Sequence, residues 1–245
     1  MRLQFIGCGD AFGSGGRFNT CFHVTGHTAN FLIDFGATSL VALKQLGIDH
    51  NAIDIILVTH FHGDHFGGIP FLILDAALVS KRARPLTIAG PPGLSERYAR
   101  AMDVAFPSFP HRPDRFPLAL IEIAIGQPTE IGDLKATALP VVHAEAAGPC
   151  VGYRIEVEGR VLAYSGDTQW TESLIEIGRD ADLFICEAYS WKRQVKSHTD
   201  YATLEQNVHR IAPKRLVLTH MSEDMLAHVQ EAAHPAASDG MVIEF

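Results

Sequence analysis

The sequence predicts an α/β chain of two sheets with helices packed outside them. Three observations support this. Short apolar runs of strand length recur in both halves of the chain. Each half passes from several strands to helices, and the second half repeats the style of the first. Three strand-like runs follow one another at Leu118–Ile125, Leu134–Val142 and Val151–Val157, which breaks the strand–helix alternation of a doubly wound sheet. With 245 residues, 47% hydrophobic and 20% charged, residues 1–245 read as one domain with a substantial core.

The elements follow in order. Leu3–Ile6, Cys21–Thr25 and Phe31–Asp34 read as strands separated by Gly and Asn turns. Ser39–Leu46 has helical spacing and stops at Gly47. The run "DIILVTH" has the length and β-branched content of a strand buried on both faces. A helix is predicted over 66–81, a strand at Leu86–Ala89 and a helix at Leu94–Val104. Residues 106–117, "FPSFPHRPDRFP", carry four prolines and cannot be regular structure. After Val151–Val157, "EGR" turns the chain into Val161–Tyr164. Further strands are expected at Leu183–Cys186 and Leu216–Thr219. Helices are expected at Thr171–Ile177, Tyr201–Ile211 and Glu223–Ala233.

Composition excludes several classes. No apolar run approaches the ~18 residues of a membrane span. The opening MRLQFIGCGD enters a strand and a glycine-rich loop directly, so no secretory signal is expected. The four cysteines are widely spaced and form no CxxC pair, which fits a reduced, cytoplasmic setting. A net charge of −8 gives no general attraction to nucleic acid or anionic lipid. The loop "GCGDAFGSGG" invites a dinucleotide-binding reading. The third glycine of that fingerprint would fall on Phe12, and a strand follows instead of a helix. Ser14 and Arg17 in this loop are instead candidate contacts for a phosphate, with a mobile turn as the alternative.

The densest chemistry lies at residues 57–68, "LVTHFHGDHFGG", beyond the end of a strand. His60, His62, Asp64 and His65 are too many ligand-type groups for one ion to take from so tight a loop, but two ions can share them. Other strand ends supply the same chemistry: "ALPVVHAE" ends at His143, "LAYSGDT" at Asp167 and "LVLTHMS" at His220. Two divalent ions about 3.5–4 Å apart can activate water and neutralise developing charge.

The motif Thr59-His60-Phe61-His62-Gly63-Asp64-His65 followed by His143, Asp167 and His220 resembles the metallo-β-lactamase fold superfamily, and the likeness spans nearly the whole chain. It implies a four-layer αββα sandwich with a dinuclear site at one edge. His60, His62 and His143 would hold one ion, Asp64, His65 and His220 the other, and Asp167 would bridge them. Zinc is the first expectation, with manganese or iron suited by the same donors.

Residues 185–204, "ICEAYSWKRQVKSHTDYATL", are similar to the ribonuclease Z-like phosphodiesterase branch. That likeness implies that Glu187 orients His198, which protonates the leaving oxygen, while Asp64 orients the attacking water. Relatives in this branch that process tRNA 3′ ends carry a long arm between the positions of His143 and Asp167. Here only 23 residues separate them. The run "SHTDYATLEQNVHRIAPKRLVLTHMSEDMLAH" is also similar to cyclic phosphodiesterases of phosphonate catabolism. Their cysteine-rich segment is replaced here by "GDAFGSGGRFNTC". The expected activity is hydrolysis of a small or cyclic phosphodiester, with RNA disfavoured as substrate and a homodimer left open by the family. The alternatives are a tRNA 3′-processing endoribonuclease, a carboxylic ester, lactone or thioester hydrolase on the same fold, and a non-catalytic metal-binding protein.

Overall fold

The computed structural model describes residues 1–245. Strands β1 (Arg2–Gly7), β2 (Cys21–Thr25), β3 (Asn30–Ile33), β4 (Ile55–Leu57), β5 (Leu86–Gly90) and β6 (Leu118–Glu122) form a first sheet. A second sheet holds β7 (Pro128–Ile131), β8 (Leu134–Pro140), β9 (Val151–Val157), β10 (Arg160–Tyr164), β11 (Leu183–Glu187) and β12 (Leu216–Thr219). The final strand β13 (Val242–Glu244) returns to pair with β1. The strand orders are β13-β1-β2-β3-β4-β5-β6 and β12-β11-β10-β9-β8-β7. The helices are α1 (Ser39–Gln45), α2 (Gly63–Phe66), α3 (Ile69–Leu78), α4 (Leu94–Ala105), α5 (Ser173–Gly178), α6 (Tyr201–Ile211) and α7 (Glu223–Ala227).

Period-2 alternation assigns each strand residue to a layer. On β3, Phe31 and Ile33 enter the core between the sheets, while Leu32 meets the helices outside. On β11, Leu183 and Ile185 point inward and Phe184 and Cys186 outward. The inner core runs from Phe5 through Phe22 to Tyr164, with edge-to-face ring contacts at 5.1 and 5.0 Å. Residues of α1, α3 and α4 cover the first sheet, and residues of α5, α6 and α7 cover the second. The result is the four-layer αββα sandwich.

Four elements depart from the sequence reading. The helix expected over 66–81 begins at Ile69, because the chain first makes the separate turn α2 and then bends at Gly67–Gly68. A side chain at Gly68 would meet the Gly36 carbonyl at 2.2 Å, so the bend requires glycine. The helix expected to reach Ala233 stops at Ala227. The His228 ring Nδ1 takes the Asp224 carbonyl, and its own N–H turns to Met225. The unforeseen strands β7 and β13 are short sheet edges. The proline-rich segment is irregular, as expected, and packs down: Phe116 is buried and the His111 carbonyl accepts from the Tyr98 hydroxyl at 2.6 Å. No helix is long and apolar enough to cross a membrane.

The two sheets are stitched at one end where their strands finish. The Tyr153 hydroxyl donates to the Val58 carbonyl at 2.8 Å, and the Val151 N–H to Thr59 at 3.1 Å. These bonds bring the end of β4 beside the ends of β8 and β10.

Candidate metal centre

Every ligand-type residue singled out in the sequence lies at this stitched end. Beyond β4, Thr59 and His60 are buried, and the tight loop passes Asp64 and His65 into α2. Gly36 allows this close approach, since a Cβ there would lie 2.2 Å from the Asp64 carbonyl. His143 follows β8, Asp167 follows β10, and His220 follows β12. Gly166, at φ 60°, turns the chain so that Asp167 enters the centre.

The donor atoms form two groups that meet at Asp167. His60 Nε2 and His143 Nε2 lie 3.1 and 3.0 Å from His62 Nδ1. On the other side, His65 Nε2 is 3.3 Å from Asp64 Oδ2 and 3.2 Å from Asp167 Oδ1. His220 Nε2 is 3.1 Å from Asp167 Oδ2, and His60 and His143 reach that same oxygen at 4.0 and 3.8 Å. Within each group the ligand atoms lie within 4.8 Å of one another.

The opposite ring nitrogens explain this convergence. Asp34, at the end of β3, accepts from His65 Nδ1 at 2.7 Å and from the Thr59 N–H at 2.7 Å. The Thr59 hydroxyl donates to Asp34 and accepts from His60 Nδ1. His143 Nδ1 donates to the Ser197 carbonyl at 2.8 Å, and His220 Nδ1 meets the Thr20 hydroxyl at 3.4 Å. Each of these rings therefore turns an Nε2 lone pair into the centre, as partners behind metal-ligating histidines do. His65 Nε2 and Asp167 Oδ1 are buried without a hydrogen-bond partner. Buried polar atoms left so are rare and costly, and a cation between them would satisfy both. As a donor set and as a geometry, the cluster suits divalent metal ions.

Electrostatics divide the imidazoles: burial disfavours a charge on His65 and His220, yet Asp167 beside each outweighs it and raises both, so an ion there would take the place of their protons. Burial and then the facing His65 push His60 well below its ordinary value, which keeps it a neutral ligand. Burial alone would raise Asp167, but His220 and His65 hold it well below the usual carboxylate range.

Beside this centre, Glu187 ends β11, buried, with Oε2 2.6 Å from His198 Nδ1. Its Oε1 accepts from the N–H groups of Thr168 and Thr199, so the carboxylate cannot swing away. Burial disfavours a charge on His198, yet Glu187 outweighs it and its value rises. The Tyr189 ring stacks on His198 at 4.4 Å.

The two residues of the glycine-rich loop lie differently. The Ser14 hydroxyl is committed to Asp10 at 2.7 Å, and its N–H also goes to Asp10. Arg17 lines a recess with Val229, Ala232 and Pro235 that includes none of the ligand-type residues above. Ser14 is thus held by Asp10, and Arg17 lies beside a recess separate from the ligand cluster. Asp34, Thr20, Tyr189 and Ser197 were not foreseen. Only Asp34 left a trace, as a strand-ending carboxylate just upstream of the cluster.

Comparison with known proteins agrees with this architecture. Residues 29–221 match the family model of the beta-lactamase superfamily domain. The chain is 28% identical to ribonuclease Z of Agathobacter rectalis, over 86% of this chain and 84% of that one. It superposes on the short form of human tRNase Z with a TM-score of 0.78, at 25% identity, covering 100% of this chain and 99% of that one. A diphosphatase of the PhnP family superposes with a TM-score of 0.77, at 20% identity, covering 100% and 97%. The chain belongs to the metallo-β-lactamase superfamily, in its ribonuclease Z-like branch, and is a metal-dependent hydrolase.

Proposed function

We propose that residues 1–245 act as one domain that hydrolyses small or cyclic phosphodiesters. The observation that carries this is the Glu187–His198 pair, held at 2.6 Å beside the ligand cluster. An alkoxide leaving phosphorus needs a proton, and an imidazole backed by a fixed carboxylate supplies one. His60, His62 and His143 would hold one divalent ion and Asp64, His65 and His220 a second, with Asp167 shared between them. Zinc is the first candidate, ahead of manganese or iron. Ions held there supply Lewis-acid activation of water and of a phosphoryl oxygen. Asp64 orients the attacking water. His198 keeps Nδ1–H on Glu187 and gives up the proton on Nε2 to the leaving oxygen, while Tyr189 covers its face.

A small substrate is favoured over RNA by the chain between His143 and Asp167. It makes a short turn at Glu145–Ala147 and then β9 and β10 joined at Glu158–Gly159, leaving no length for a long arm. The alignment to the Agathobacter ribonuclease Z takes 264 positions to match 86% of 245 residues, so roughly fifty positions of that relative have no counterpart here. A recess of about 780 Å³ opens beside His143, lined by Ile125, Val142, Gln169, Lys196 and Ser197. That volume is in the range of small-molecule sites. The four free, buried cysteines suit a reducing cytoplasm.

The test is a panel of bis(p-nitrophenyl) phosphate, an alkyl phosphodiester, a lactone and a thioester, offered to zinc- and manganese-reconstituted protein. We expect phosphodiester turnover that His198→Ala slows at least about a hundredfold for the alkyl ester and much less for the activated aryl ester. Activity confined to the lactone or thioester, or equal losses on both phosphodiesters, would contradict the proposal.

A further inference from the structure

We infer that Ser197 is a positioning residue that locks the ligand His143 to the acid His198, so that the two imidazoles hold a fixed separation. The inference rests on the phosphodiesterase reading above for its catalytic half only.

Two residues 54 apart in sequence exchange two hydrogen bonds. His143 Nδ1 donates to the Ser197 carbonyl at 2.8 Å, and the Ser197 hydroxyl donates back to the His143 carbonyl at 2.9 Å. The first bond aims the His143 ring. The second fixes the backbone that carries it. Ser197 is also the corner of a tight turn closed by the His198 N–H on the Val195 carbonyl at 3.1 Å. His198 leaves that corner directly, with its ring centroid 4.9 Å from that of His143. The next residue, Thr199, is tied at both polar groups, to Glu187 and to the carbonyl of Thr168 beside Asp167. On its C-terminal side, a displacement at Ser197 is therefore passed to the two imidazoles rather than to Thr199.

The backbone at Ser197 has φ 69°, a left-handed conformation that glycine adopts freely and side-chain-bearing residues rarely do. A turn needing only that shape is best served by glycine. The serine side chain is kept at a strained corner, and its one hydrogen bond goes to the backbone of a ligand. Strain held at such a place points to a positioning role.

Two variants separate the hydroxyl from the backbone. Ser197→Gly removes the hydroxyl and relieves the strain, and Ser197→Ala removes the hydroxyl and keeps the strain. Three quantities are read in each: zinc affinity by chelator competition, the rate ratio of an alkyl to an aryl phosphodiester, and the thermal midpoint. We expect both variants to lose about tenfold in zinc affinity and about tenfold in the alkyl-to-aryl ratio. Their midpoints should part, with Ser197→Gly within about 3 °C of wild type or above it and Ser197→Ala lower. Unchanged zinc affinity and an unchanged ratio in Ser197→Gly overturn the inference, whatever the midpoint. A wild type inactive on both esters would sink the phosphodiesterase reading alone. The zinc titration would then decide the clamp: a tenfold loss upholds it, and no loss overturns it.

Discussion

The two ends of the sandwich are closed by opposite means. At the far end one exposed carboxylate does the work. Glu158, in the turn after β9, accepts from the N–H groups of His27, Thr28 and Ala29 at 2.8–3.0 Å, which fastens the second sheet to the turn between β2 and β3. The three N–H donors of that turn are satisfied within the chain. At the other end imidazoles and carboxylates are buried together, and His65 Nε2 and Asp167 Oδ1, 3.2 Å apart, make no hydrogen bond. Burying polar groups unpaired is costly. The same fold thus has one end latched by its own carboxylate and one whose closure calls for cations, so ion binding should stabilise one end only.

Removing the ions should have the largest effect. Free zinc at 100 to 1,000 times its dissociation constant stabilises a protein by about 3–4 kcal/mol. Stripping it with a chelator should lower the melting midpoint by about 10 °C. Hydrogen-exchange protection should fall in β4, α2 and the 195–199 turn and stay unchanged at residues 26–29. Equal loss of protection at both ends would break the comparison.

A sharper cut is Asp34→Ala. Asp34 is no member of the ligand set, yet it holds His65 and Thr59, and through Thr59 also His60. We expect zinc affinity to fall about 10- to 100-fold. Isothermal titration of the folded variant measures this. An unchanged affinity would mean that the loop holds its shape without the carboxylate.

The smallest effect belongs to the far end. Backbone N–H groups of His27, Thr28 and Ala29 hold the Glu158 carboxyl down at about 2, against an ordinary 4.5. Because its folded value is depressed, its contribution is fully present above pH 4.5 and is lost as pH falls through about 2. Glu158→Gln should remove that part of the acid dependence of the ion-free protein. Parallel melting curves of wild type and variant between pH 5 and 2 check it. Identical slopes would show that the latch carries no measurable charge effect.

The same contrast explains what the sequence revealed. The His60–His65 cluster was legible because four ligand-type groups fall within six positions. His143, Asp167 and His220 were legible because each follows an apolar run of strand length. Asp34 and Ser197 were not, since their partners lie 31 and 54 residues away and only the packing of the sheets brings them together. Ser197 also acts through a left-handed backbone, which a serine does not announce. β7 and β13 escaped notice because edge strands need no continuous apolar run. The bond from the Ser14 hydroxyl to Asp10 was likewise not legible, because Gly13 between them leaves the local backbone open.

The most direct test of the central claim sets two substrates against one metal-loaded preparation: a small alkyl or cyclic phosphodiester and a precursor tRNA with a 3′ trailer. We expect turnover of the small diester, abolished in Asp167→Ala, and little or no cleavage of the precursor at physiological salt. Efficient, accurate cleavage of the precursor with no turnover of the small diester would contradict it and move this chain to the ribonucleases that it resembles.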